Sequence, residues 1–193
     1  MRRPPAGPTR LVLIERSGAV GRGVAYADRE FPYLLNVPAS RMSASSAAPN
    51  EFLEFVQRRI PGAGGEDFLP RALYGEYLQE FLLAAQLSAP ANVRLDVLHG
   101  DVTNVRRLER HLPLQVELRD GRKLTADDVV LALGNPKPAS LAVAEPVADH
   151  PAYVVDPWSS ELQFTRAQNV LLIGTGLTAA DVINLYGDRK SVV

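Results

Sequence analysis

Gly174, Gly176 and Ala179, in "NVLLIGTGLTAADVINLYG", stand at the spacing GxGxxA. In a turn of this kind the first glycine permits the tight bend and the second lets backbone approach a pyrophosphate. The small third residue lets helix and strand pack closely. The helix that opens there turns its free N–H groups toward the phosphates. An apolar run at 170–173 precedes the turn and a short helical pattern follows it, which is the context the motif requires. Two readings stand at this point: a dinucleotide site, or a structural turn in another α/β sheet.

A second pair of glycines, in Gly21-Arg22-Gly23, also follows an apolar run, but the "YADREFPYLLNVP" after it carries prolines and no helical period. It reads as a loop whose glycines either bring backbone close to a cofactor or make a plain surface turn. Glu15 ends the run "TRLVLIE". In a dinucleotide-binding unit an acid at the end of the second strand, about 20 residues past the glycines, receives the adenosine ribose hydroxyls. The preceding "MRRPPAGP" cannot supply a strand, a glycine turn and a helix, so on spacing alone an ordinary surface glutamate is the alternative. His99, His111 and His150 are scattered without metal-ligand spacing, no metal site is expected, and no nucleophile triad is visible. Cysteine is absent, which excludes thiolate catalysis and any flavin enzyme that relays electrons through its own Cys pair.

The elements that must position these residues are legible in the hydropathy pattern. Four consecutive apolar residues, 11–14, between polar ends predict a strand buried on both faces of a parallel sheet. In "PNEFLEFVQRRI", Phe52, Phe55, Val56 and Ile60 share one helical face. A second helix starts near Pro70, with Leu73, Tyr77, Leu78, Phe81, Leu82 and Ala85 along one side. Residues 92–135 read as several strands, with Asp120-Gly121 as a hairpin turn and 129–133 as a last short buried strand leading to Gly134. The proline-punctuated stretch 136–168 reads as a connector between two units.

A chain of 193 residues suits one domain or parts of two. Its formal net charge of -1 gives no electrostatic ground for nucleic acid or an anionic membrane as partner. No apolar run approaches the roughly 20 residues of a membrane span, and the N-terminal apolar stretch is shorter than the about 7–15 residues of a signal peptide. A cytoplasmic protein with a small-molecule substrate is the expectation.

"GRGVAYADREFPYLLNVPASRMSA", "FLPRALYGEYLQEFL", "DVVLALGNPKP", "DPW" and "LLIGTGLTAAD", in this order, resemble the bacterial FAD/NAD(P)-binding oxidoreductases similar to FAD-dependent urate hydroxylase and aspartate N-monooxygenase. The resemblance covers nearly everything from Thr9 to about Leu185. It implies a Rossmann-like α/β flavoprotein with two dinucleotide-binding units and an inserted antiparallel hairpin or meander, with FAD and NAD(P)H as cofactors. Glu15 would be the ribose-binding acid. The 21–26 loop, with Arg22 and Gly23, and the segment containing Asn36 and Met42 would line the flavin. Val102 would meet the adenine through its backbone, and Gly134 would mark where the chain leaves the FAD unit. Gly174, Gly176 and Ala179 would open the NAD(P) unit. Ordinary core positions account equally for Met42 and Val102, and a turn cap for Asn36. Arg71 and Tyr74 match the segment "PRALYG", where a solvated first-turn arginine is the alternative to a cofactor or substrate role.

The same resemblance implies a partial FAD-binding domain at 1–135, a connector at 136–168 and the start of an NAD(P)-binding domain at 169–193. The strand, glycine turn and helix that open the FAD unit have no counterpart, so the sequence reads as incomplete at both ends. In the 3-2-1-4 strand order the missing strand is central, which leaves "LVLI" short of one neighbour. Weak or no FAD retention by this chain alone is the consequence. The implied function is a FAD-dependent, NAD(P)H-using oxidoreductase of monooxygenase type. The alternative is a catalytically silent interaction module on the same scaffold.

Overall fold

The computed structural model describes residues 7–29, 33–107, 109, 112–134, 136, 138–157 and 169–190, with the side chains of 185–190 left out of the description. Trp158 of the "DPW" motif, His111 and most of the second half of the 136–168 connector lie outside the described residues. The chain divides into two compact units, Met1–Gly23 with Leu78–Leu133, and Val24–Tyr77 with Gly134–Val193. Parallel and antiparallel strands occur together with helices, so the protein is of the α/β kind.

In the first unit β1 (Thr9–Glu15) pairs in parallel with β2 (Val93–His99), residue for residue from Thr9↔Val93 to Glu15↔His99. The pairing sets Arg10 beside Arg94, and Asp96 bridges them, 2.7 Å from each guanidinium. Those two arginines, Arg10 first, hold the Asp96 carboxyl below its ordinary range. Among the described residues β1 has one strand neighbour. A three-stranded antiparallel sheet follows: β3 (Val102–Arg107), β4 (Leu114–Leu118) and β5 (Lys123–Ala126) in that order. The β4–β5 turn is the expected one at Asp120-Gly121. Gly121 takes φ 88°, a left-handed conformation that a side chain resists.

The second unit is built around α1 (Glu51–Arg59) and the first two turns of α2 (Arg71–Leu87), the helix within which the two units divide. Acidic Glu51 and Glu54 in the first turn of α1 and basic Arg58 and Arg59 in its last complement the helix dipole. Phe52, Phe55 and Val56 are fully buried. The Phe52 ring lies 5.0 Å from that of Tyr74 and 5.3 Å from that of Tyr77. The segment 33–40 is stitched to 65–71 by Leu35 N to Leu69 O (2.8 Å), Arg71 N to Tyr33 O (2.7 Å) and Ala39 N to Asp67 O (3.0 Å). Later in the chain α3 (Leu177–Lys190) follows Gly176.

Several expectations need correction. β1 is not buried on both faces: Leu11 and Val12 are exposed. The stretch 129–133 forms no strand, and Val130 and Leu133 are 88% and 82% exposed. The stretch 170–173 forms none either, with Leu171 85% exposed, so the GxGxxA turn has its helix but not its strand. A strand is made only against a neighbour that takes its N–H and C=O groups, and among the described residues no strand flanks 129–133 or 170–173, whereas β1 does pair, with β2, in a two-stranded sheet too small to cover its faces. On α2 the buried stripe is Tyr74, Gly75 and Tyr77, while Leu73, Leu78, Phe81 and Leu82 are half-buried and Ala85 is exposed. Aromatic packing against α1 sets that stripe, not the leucine period. Ile60 falls beyond the end of α1 and is exposed.

Candidate functional site

Glu15 is the last residue of β1, at the carboxyl end of a parallel pair, where open α/β sheets receive their ligands. Its Oε1 accepts two hydrogen bonds from Ser17, from the backbone N–H and from the hydroxyl, both at 2.8 Å. The Ser17 hydroxyl also accepts from Ala19 N at 3.2 Å. The Ser17 amide is the largest cause holding the Glu15 carboxyl below its ordinary range, against a smaller opposing effect of burial. Oε2 takes no part in the Ser17 bonds, and the Arg16 amide and guanidinium add smaller lowering effects on the carboxyl. The result is a half-buried carboxylate held toward its ionised form, with Oε1 committed to Ser17 and Oε2 outside that pair of bonds.

The end of β2 completes this edge. Gly100 N donates to the Glu15 carbonyl at 3.1 Å, and His99 Nε2 lies 3.0 Å from the Arg16 carbonyl. Arg122 donates to the His99 carbonyl at 2.7 Å, and Arg119 N to the Asp101 carbonyl at 2.8 Å, so the 99–101 turn is tied to the β4–β5 hairpin. A side chain at Gly100 would run into Leu118 Cδ2 and crowd the Arg122 guanidinium. Val102 opens β3 beyond this turn with its side chain exposed. The structure therefore brings Glu15 and Val102 to the two sides of one short turn.

Arg22 and Gly23 sit in a run of turns, as the absence of helical period predicts. Arg22 Nε donates to Gln79 Oε1 at 2.8 Å, and Gly21 packs against the backbone carbonyl group of Leu78, 3.7 Å from where a Cβ would stand. Here the arginine has a protein partner, which anchors the loop to α2.

In the second unit, Asn36 is exposed in a bend, and Met42 is half-buried at the end of the 3₁₀ turn Ala39–Arg41. Gly134 and Gly174 take φ 68° and 118°, conformations open to glycine. Gly176 stands immediately before α3, and its carbonyl accepts from Ala179 N at 2.9 Å and Ala180 N at 3.3 Å. Ala179 is half-buried, and Val182 on the next turn is buried. Asp181 has a buried carboxylate oxygen with no hydrogen-bond partner, and burial raises its pKa against the pull of Arg71.

Ser17, His99 and Asp181 carry no site assignment from the sequence. Ser17 two residues past a strand-ending acid is a local signal that the pattern of hydroxyl and carboxylate can reveal. His99 becomes informative only through the β1–β2 register, which is non-local. Among the described residues no helix is long and apolar enough to cross a membrane.

One unit carries a parallel strand pair ending in an acid, the other a glycine turn that opens a helix, in a protein of the α/β kind. A family model described as FAD-NAD(P)-binding matches residues 1–136, and the chain belongs to that family. Its cofactors are FAD and NAD(P)H, and membership assigns it to the flavoprotein oxidoreductases. The search of the curated proteins gives no match.

Proposed function

We propose that this chain contributes the adenosine end of a FAD site and an NAD(P) turn to a FAD-dependent, NAD(P)H-using oxidoreductase of monooxygenase type, with a small-molecule substrate. The type follows the resemblance to the FAD-dependent urate hydroxylase and aspartate N-monooxygenase group. The observation that carries the reading is Glu15: an ionised carboxylate at the carboxyl end of a parallel strand, with Oε2 open to a ribose diol. The residues present fit an adenosine group there. Glu15 would accept the ribose hydroxyls and the Val102 backbone would border the adenine. Asn36, Met42 and Gly134 keep the flavin-side roles that the resemblance implies. Gly174, Gly176 and Ala179 would lead the nicotinamide pyrophosphate onto the start of α3.

When bound, the cofactors supply the hydride and the electrons for oxygen or another acceptor, and the protein's share is binding and orientation. Calorimetric titration of the chain with FAD tests the reading. Saturable binding that Glu15→Ala weakens by roughly tenfold supports it, in keeping with the loss of about 1.5–3 kcal/mol per hydrogen bond to a charged group. Equal affinity of the variant would remove it.

The exposed apolar stretches 129–133 and 170–173 favour a second reading, a catalytically silent interaction module. NADPH consumption in the presence of FAD separates the two: turnover supports the enzyme, and partner binding without turnover supports the module.

A further inference from the structure

The 15–17 segment is held at more points than a strand end requires. The Glu15 carbonyl is tied to Gly100 N at 3.1 Å, and the Arg16 carbonyl to His99 Nε2 at 3.0 Å. Both of Ser17's donors converge on one oxygen, Glu15 Oε1, at 2.8 Å, while its hydroxyl accepts from Ala19 N at 3.2 Å. A carbonyl partner requires a proton on His99 Nε2, which fixes the neutral ring in the Nε2–H tautomer.

A glutamate otherwise has three side-chain torsions to order when it meets a ligand, and ordering such a side chain costs of the order of 1–2 kcal/mol. Here Ser17 has done much of that ordering beforehand. A hydroxyl that both donates and accepts has no freedom to turn away. The two oxygens of a carboxylate are chemically equivalent, so engaging one decides which of them a ligand meets.

We propose that Ser17 is a positioning residue for cofactor recognition: it occupies Glu15 Oε1 and thereby presents Oε2 to the vicinal hydroxyls of a ribose. His99 supports it by holding the Arg16 peptide. This rests on the reading that Glu15 receives the adenosine ribose of FAD.

The test compares the wild-type chain with Ser17→Ala, Ser17→Thr and Glu15→Ala in titrations with FAD and with FMN, which lacks the adenosine. Carbon-13 NMR follows the Glu15 carboxyl without cofactor. The expected result is that Ser17→Ala weakens FAD binding by roughly three- to tenfold, leaves FMN where it was and moves the Glu15 titration to higher pH, while Ser17→Thr restores both. A variant that merely perturbed the fold would move FAD and FMN together, and that outcome overturns the proposal. So does an unchanged FAD affinity in Ser17→Ala while Glu15→Ala still weakens it, a result that leaves the wider reading standing. If Glu15→Ala has no effect, or the wild-type chain shows no saturable FAD binding even at concentrations that would fill a weak site, the reading and the inference fall together.

Discussion

Glu15 and Tyr74 illustrate opposite ways in which an environment moves an ionisable group. The Ser17 amide and hydroxyl stabilise the Glu15 carboxylate, so its pKa lies below the ordinary value. If Glu15 receives the ribose as proposed, adenosine recognition persists as pH falls through the usual carboxylate range and is lost only below it. A FAD-binding pH profile checks this, and an acid limb at the ordinary glutamate value would contradict it. The Tyr74 phenol is raised to about 12 by burial first, with Tyr26 and Tyr77 adding to it. Because the folded pKa exceeds the unfolded one, Tyr74 contributes stability that is complete below the unfolded value of 10.0 and is lost as pH rises through the folded value. Burial also raises the Tyr33 and Tyr77 phenols, and ultraviolet titration should show these tyrosines ionising late with Tyr74 last, urea stability declining over the same interval. At this scale the sequence places Glu15 at the end of a strand, because an acid closing an apolar run is a local pattern. It does not reveal His99, whose relevance depends on a strand pairing across more than eighty positions.

The elements with their own local logic form as the pattern predicts, β1 finds its distant partner in β2, and two apolar runs with no neighbour among the described residues form no strand. α1 has a charged and amphipathic sequence, and the β4–β5 turn has its Asp-Gly. By contrast, 129–133 and 170–173 have strand-like composition but no edge to join among the described residues. Composition reports what a segment would bury; it is silent on whether a partner is there to bury it. Two substitutions test the packing account. Phe52→Ala removes the ring at the centre of the α1–α2 aromatic cluster and should cost about 3–5 kcal/mol in urea unfolding. Gly100→Ala should cost about 1–3 kcal/mol, because Leu118 is buried and has little room to yield. A neutral result at Gly100 would mean that the 99–101 turn is free to shift, and with it the tie to Glu15.

For the molecule as a whole, the family and the cofactor pair are carried by residues 1–136, where the strand-ending acid and the 99–102 turn lie. The GxGxxA turn lies beyond that match, and its helix is the part of the motif that the structure supplies. Among the described residues β1 pairs on one side only, so its two sets of amides differ. Those bonded to β2 should be protected in hydrogen exchange, whereas those of 129–133 and 170–173 should exchange at nearly unfolded rates. Slow exchange in 129–133 would show that this stretch is paired after all. The most direct test of the central claim is an amide NMR titration of the labelled chain with FAD. The account predicts saturable shifts concentrated at Glu15 to Gly18 and His99 to Val102, reproduced by ADP and absent with FMN. Shifts that avoid both segments, or that FMN reproduces there, would contradict it.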